Sequence, residues 1–154
     1  MSHTIRQSIE PAPIRKSLTV PATPARAFAV FTVGFDRWWP RAHTIGQGPL
    51  KEVVLEPRAG GRWYGIDEDG TQTSWGDVLV WDPPARLVLA WRIGADWQYH
   101  AELSTEVEVT FTSLGAGETR VDFEHRHLER MGDAAASTRD GLDGGWGGIL
   151  QGYA

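Results

Sequence analysis

The sequence predicts an α+β domain in which a curved, seven-stranded antiparallel sheet wraps around a long C-terminal helix, with two short helices after the first strand. Three observations carry this. Seven short stretches alternate apolar and polar residues and are separated by turn sequences. Helix start and stop signals follow the first of these stretches. Near the end, Leu142, Trp146, Ile149, Leu150 and Tyr153 recur at helical spacing and form one apolar stripe.

The elements follow in order. Residues 1–13, with Pro11 and Pro13, read as a loose arm, and residues 14–154 as a single domain. IRKSLTV (Ile14 to Val20) alternates as a half-buried strand does. Thr23 and Pro24 then supply an N-cap followed by proline at the first helical position, with Ala27, Phe28, Val30 and Phe31 on one face and Gly34 as the stop. A second helical piece, Phe35 to Trp39, is ended by Pro40, which drives Trp39 out of the helical region. Six strands come next: Leu50 to Pro57, Gly61 to Ile66, Ser74 to Trp81, Arg86 to Ile93, Ser104 to Leu114 and Thr119 to His127. "RAGG", "DEDG", "DPPA" and "GAG" separate them, each suited to a hairpin.

The last two strands distinguish the faces. Val107, Val109 and Phe111 alternate with Glu106, Glu108 and Thr110, and Val121, Phe123 and His125 alternate with charged residues, so one face is dry and His125 lies on it. Asp133 is the expected cap of the last helical segment. Gly141, Gly144, Gly145, Gly148 and Gly152 share a second stripe there, which implies a break near Gly144 or a surface closely approached by another backbone.

Composition narrows the function. A chain of 154 residues holds one sizeable core. A net charge of -5 without a Lys/Arg cluster argues against nucleic acid. The absence of Cys excludes disulfides, thiolate metal sites and a cysteine nucleophile. There is no signal-peptide pattern and no run of about 18 apolar residues, so no membrane span and a cytoplasmic location are expected. The five histidines show no metal-ligand spacing, and no phosphate-loop or dinucleotide fingerprint occurs, so neither metal nor cofactor is expected. Eight tryptophans are many for this length; they either fill the core or line a cavity for a flat, greasy ligand.

The element order, with "FTVGFDRWWP" (31–40), "LEPRAGGRWYGI" (55–66), "WGDVLVWDPPARLVLAWR" (75–92), "TRVDFEHRHLERMGDAAA" (119–136) and "GGWGGIL" (144–150), resembles the family of the Hsp90 ATPase activator homologue domain. That family lies within the helix-grip group shared by START domains, birch-pollen-allergen-like proteins and polyketide cyclases. The resemblance implies an apolar cavity between sheet and helix and no shared catalytic set. It also implies a last helix that continues past Ala154. The eukaryotic co-chaperone has an additional N-terminal domain that this sequence lacks, so an Hsp90-type chaperone ranks as the third choice of partner. A small hydrophobic or aromatic molecule ranks first and a polyketide-cyclase-like reaction second; monomer and homodimer are both open.

The expected cavity wall comprises Trp39, Trp63, Trp75, Trp91, His125 and Trp146. Trp91 shares a face with Leu87 and Leu89, Trp146 lies on the helix stripe, and Trp39 is expected at the cavity mouth. The phase of Trp63, Trp75 and Trp81 stays open, because a bulge near Gly76 would reverse the faces. For the same reason the orientation of the weaker candidates Tyr64, Asp77 and Arg92 stays open. Trp38 is expected to anchor the short helices. His125 is either a buried histidine satisfied within the protein or the one hydrogen-bonding point for a ligand.

Overall fold

The first strand, β1 (Ile14–Val20), buries Ile14 and Val20 and turns Arg15, Ser17 and Thr19 to solvent, as its alternation requires. The computed structural model describes residues 13–39, 48–94, 96–128, 130 and 131, together with helical positions 142, 143, 145–147, 149, 150 and 153. Most of the expected N-terminal arm, His3, His43, Asp133 and Gly141, Gly144, Gly148 and Gly152 lie outside the described residues.

Helix α1 (Pro24–Thr32) begins as its sequence dictates: Thr23 Oγ1 accepts a hydrogen bond from the Arg26 N–H at 3.3 Å, and Pro24 opens the first turn. Helix α2 (Phe35–Trp38) follows Gly34, and Trp39 is already extended at φ -75 and ψ 125, the conformation favoured before a proline. Trp38 fastens the two helices, its indole N–H donating to the Val30 carbonyl at 3.0 Å while its ring meets Phe31 and Phe35.

Six further strands complete the sheet: β2 (Leu50–Leu55), β3 (Arg62–Asp67), β4 (Gln72–Asp82), β5 (Arg86–Trp91), β6 (Thr105–Gly115) and β7 (Glu118–Arg126). They run antiparallel in the order β1-β7-β6-β5-β4-β3-β2. Strand β4 begins earlier than its alternation suggests because its hairpin with β3 extends to the pair Ile66 and Gln72. Val107, Val109, Phe111, Val121, Phe123 and His125 all face the buried, concave side.

The open question of strand phase is resolved by a bulge. Trp63 pairs with Gly76 and Tyr64 with Ser74, which leaves Trp75 as an extra residue on β4. The bulge places Trp75 on the concave face beside Trp63, whereas Tyr64 lies half-buried under the Arg62 guanidinium, 4.1 Å from its ring centre. Gly76 makes this geometry available: a Cβ there would stand 1.7 Å from the Ala90 carbonyl oxygen. Gly76→Ala is therefore expected to lose about 3 kcal/mol of stability, because a backbone clash cannot be relieved by a side-chain rotation. Urea denaturation checks this, and an unchanged midpoint would refute the close approach.

On the convex face Glu108 stands opposite Glu124, an unfavourable pairing by itself. Arg126 relieves it by reaching Glu106 at 2.9 Å, Glu124 at 3.1 Å and Glu108 as well, while Arg86 binds Glu108 from β5. Partial burial works to raise the Glu108 pKa, but the two guanidiniums outweigh it and hold the carboxyl below its usual value.

The C-terminal helix covers the concave face. Its described residues Leu142, Trp146, Ile149, Leu150 and Tyr153 are all buried, as the stripe predicts. Tyr153 O–H donates to the Ala27 carbonyl at 2.9 Å, tying the helix to α1, and Lys16 on β1 pairs with Asp143 at 2.9 Å. A Cβ at Gly145 would meet nothing within 4 Å, so no neighbour demands glycine at that position. No helix among the described residues is long and apolar enough to cross a membrane.

Candidate ligand-binding site between sheet and helix

The curved sheet and the C-terminal helix form the cavity of the fold between them, and the six residues expected on its wall all belong to the buried core. Trp63 comes from β3, Trp75 from the bulge of β4, Trp91 from β5, His125 from β7, Trp146 from the helix and Trp39 from the segment after α2. Their rings form a continuous belt. Trp39 stacks on Phe35 at 5.0 Å and lies 5.3 Å from Trp75 and 5.8 Å from Trp146. Trp63 bridges Trp75 at 5.8 Å and Trp91 at 5.6 Å, and Trp91 meets Trp146 at 5.5 Å. Trp39, expected at the mouth, is buried within this belt.

His125 is the centre of a directed hydrogen-bond chain. An indole N–H can only donate, so the 3.2 Å contact from Trp146 Nε1 makes His125 Nδ1 an acceptor. The proton therefore sits on Nε2, which donates to Thr105 Oγ1 at 2.8 Å, and the Thr105 hydroxyl donates onward to the Trp91 carbonyl at 3.1 Å. Helix, β7, β6 and β5 are joined by one polar thread. Burial alone pushes the His125 pKa down from 6.5 to about 3, so the ring is neutral at physiological pH. Both ring nitrogens are occupied inside the protein.

Two indoles differ from the rest. Trp63 and Trp75 are 0% and 1% exposed, and neither Nε1 finds an acceptor among the described residues. Trp38, Trp91 and Trp146, by contrast, each donate to a protein acceptor. The weaker candidates lie away from this wall: Arg92 donates to Asp77 at 2.6 Å and to the Ala101 and Leu103 carbonyls, and Tyr64 packs under Arg62. Trp81 is half-buried, edge-on to Phe28, and Trp97 is 51% exposed.

Three residues that the expected wall did not include pack against it. Thr105 shares the phase of Val107 and Val109, which was the available signal for its burial; Phe123 and Phe35 complete the belt against Trp146 and Trp39. Among the described residues no group of three or more His, Asp or Glu side chains is placed to hold a metal ion.

Residues 21–152 match the family described as Activator of Hsp90 ATPase homolog 1-like protein. The chain belongs to that family. This Activator of Hsp90 ATPase homolog 1-like domain sits within the broader helix-grip superfamily, and its half-barrel and C-terminal helix are the features of that fold. Among solved structures it is 40% identical to an anthrahydroquino-γ-pyrone synthase, Txn09, complexed with a ligand denoted SUM. The match covers 87% of this chain and 88% of that one, with a TM-score of 0.61. It is 38% identical to CalC, a self-sacrificing resistance protein from Micromonospora echinospora, over 94% and 92% of the two chains with a TM-score of 0.67. The Aha1 dimer from Colwellia psychrerythraea shares the fold at 15% identity and a TM-score of 0.61, covering 91% of each chain. No curated protein matches.

Proposed function

We propose that the protein binds a small, flat, hydrophobic or aromatic molecule in the cavity between the sheet and the C-terminal helix. The observation that carries this reading is the belt of five tryptophans, Trp39, Trp63, Trp75, Trp91 and Trp146, on the concave wall, where aliphatic side chains would fill a plain core at lower polar cost. In this reading the indoles contact the ligand, and His125 shapes the wall by holding Trp146 and Thr105. The named activity of the 40% identical synthase concerns a polycyclic aromatic compound, which supports a ligand of this class.

The same similarity favours a second reading, a cyclase-like enzyme that uses the cavity to fold a substrate. The described wall offers no evident proton-transfer group, since its one imidazole is neutral with both nitrogens engaged, so binding ranks first. A chaperone partner ranks third, resting on the family description alone.

Titration with planar polycyclic ketones is expected to give saturable quenching of tryptophan fluorescence. A ligand at 100 times its Kd should also stabilise the fold by about 2.7 kcal/mol. Chromatography and proton NMR of the recovered ligand separate the first two readings, because ring closure can conserve mass: an unchanged retention time and spectrum indicate binding, a new species indicates turnover. Absence of both quenching and thermal stabilisation across such ligands would refute the cavity reading.

A further inference from the structure

We propose that Trp63 and Trp75 form a paired donor site that selects, among flat apolar molecules, uncharged ones carrying a ketone or quinone oxygen. The inference rests on the proposed binding function and specifies its ligand. Both indole N–H groups are fully buried, and neither has an acceptor among the described residues. Burial of an N–H without a partner is costly and therefore uncommon in a folded protein. A phenylalanine at either position would fill much of the same space without stranding a donor. The other three buried or half-buried indoles with assigned bonds donate to Val30, Ile93 and His125, so the fold readily supplies acceptors elsewhere.

The placement of the pair is equally specific. The rings lie on adjacent strands with centres 5.8 Å apart, and Trp75 reaches the concave face only because β4 bulges there, with Gly76 against the Ala90 carbonyl. Their ring neighbours are Phe35, Trp39 and Trp91, which present π faces rather than lone pairs. An N–H over such a face recovers part of a hydrogen bond at most. A carbonyl oxygen entering the cavity supplies the missing acceptor. No Lys or Arg is buried among the described residues, so a carboxylate or phosphate would find no buried cation there, which favours neutral molecules.

The test compares 9-fluorenone with fluorene, which share a flat tricyclic skeleton and differ by one carbonyl. The ketone is the better hydrated of the two, so a featureless apolar pocket would prefer fluorene. The wild-type protein is expected to bind fluorenone about tenfold more tightly than fluorene by tryptophan quenching. In Trp63→Phe/Trp75→Phe the ratio of the two affinities is expected to lose that preference for the ketone, whatever the change in absolute affinity that follows from altering two rings of the wall. A proton–nitrogen spectrum of protein carrying nitrogen-15 tryptophan gives a readout that needs no variant: two side-chain indole N–H signals should move downfield with fluorenone and not with fluorene. If both compounds bind wild type equally, or the preference survives the double substitution, or no indole N–H signal responds to the ketone, the paired-donor inference fails and the binding function stands. If neither compound binds, the binding function fails and the inference with it.

Discussion

Acidification from pH 6.5 toward pH 3 is expected to remove on the order of 4 to 5 kcal/mol of stability through His125 alone. The ring is fully buried, and among the described residues the groups in contact with it are Thr105, Trp91 and Trp146, none of them charged. The sign follows from the two pKa values. In the unfolded chain the imidazole takes up a proton near pH 6.5, whereas in the fold it stays neutral down to about 3. Between those values the unfolded state binds more protons, so the stabilisation is fully present above pH 6.5 and is lost progressively as pH falls. Urea titrations at pH 7, 5.5 and 4 measure the slope. His125→Gln should be less stable at pH 7 yet show a shallower decline, because the remaining titrating groups are common to both proteins. Equal slopes in the two proteins would show that His125 is not held neutral by burial.

Trp146→Ala is expected to cost about 3 to 5 kcal/mol, the range for truncating a buried aromatic side chain to alanine. Its ring is 3% exposed and packs on Phe123 at 4.6 Å, on Trp91 and on Trp39, so removal opens a void against both the sheet and the segment that follows α2. It also strips the donor from His125 Nδ1, leaving a buried acceptor unsatisfied. Trp146→Phe retains most of the packing and loses only the bond, so it should fall between wild type and Trp146→Ala in denaturant midpoint. The two histidine effects are coupled: water entering the void would raise the His125 pKa, and the acid slope of Trp146→Ala should flatten. A loss below about 1 kcal/mol in Trp146→Ala would mean that the helix is not held by this ring.

Much of the fold was legible because an antiparallel sheet repeats every two residues. Val107, Val109 and Phe111 opposite His125, Phe123 and Val121 state their face by alternation, and the pairing register agrees. The helix stripe from Leu142 to Tyr153 was legible for the same kind of reason at a different period. The phase of Trp75 was not, since a bulge adds one residue without a periodic signal, and its cause is the tertiary approach of Gly76 to Ala90. Hydrogen bonding was legible least. The burial of Thr105 follows from its phase, but its bonds to His125 and Trp91 span 20 and 14 residues, and the lack of an acceptor for Trp63 and Trp75 among the described residues emerges only from three-dimensional placement.

The strand order also governs the course of synthesis. Among the described strands β1 finds its partner only in β7, with Arg15 bonded to Glu124 across 109 residues of chain. Strands β2 to β7 can assemble as successive hairpins while they emerge from the ribosome, because each pairs with its neighbour in sequence. The first strand made is the last to be placed, and each doubling of the loop it must close costs about 0.6 kcal/mol of entropy. Until it docks, β7 presents an open edge with unpaired N–H and C=O groups, so the interval between completion of β7 and capture of β1 is when the nascent chain is most exposed to edge-to-edge aggregation.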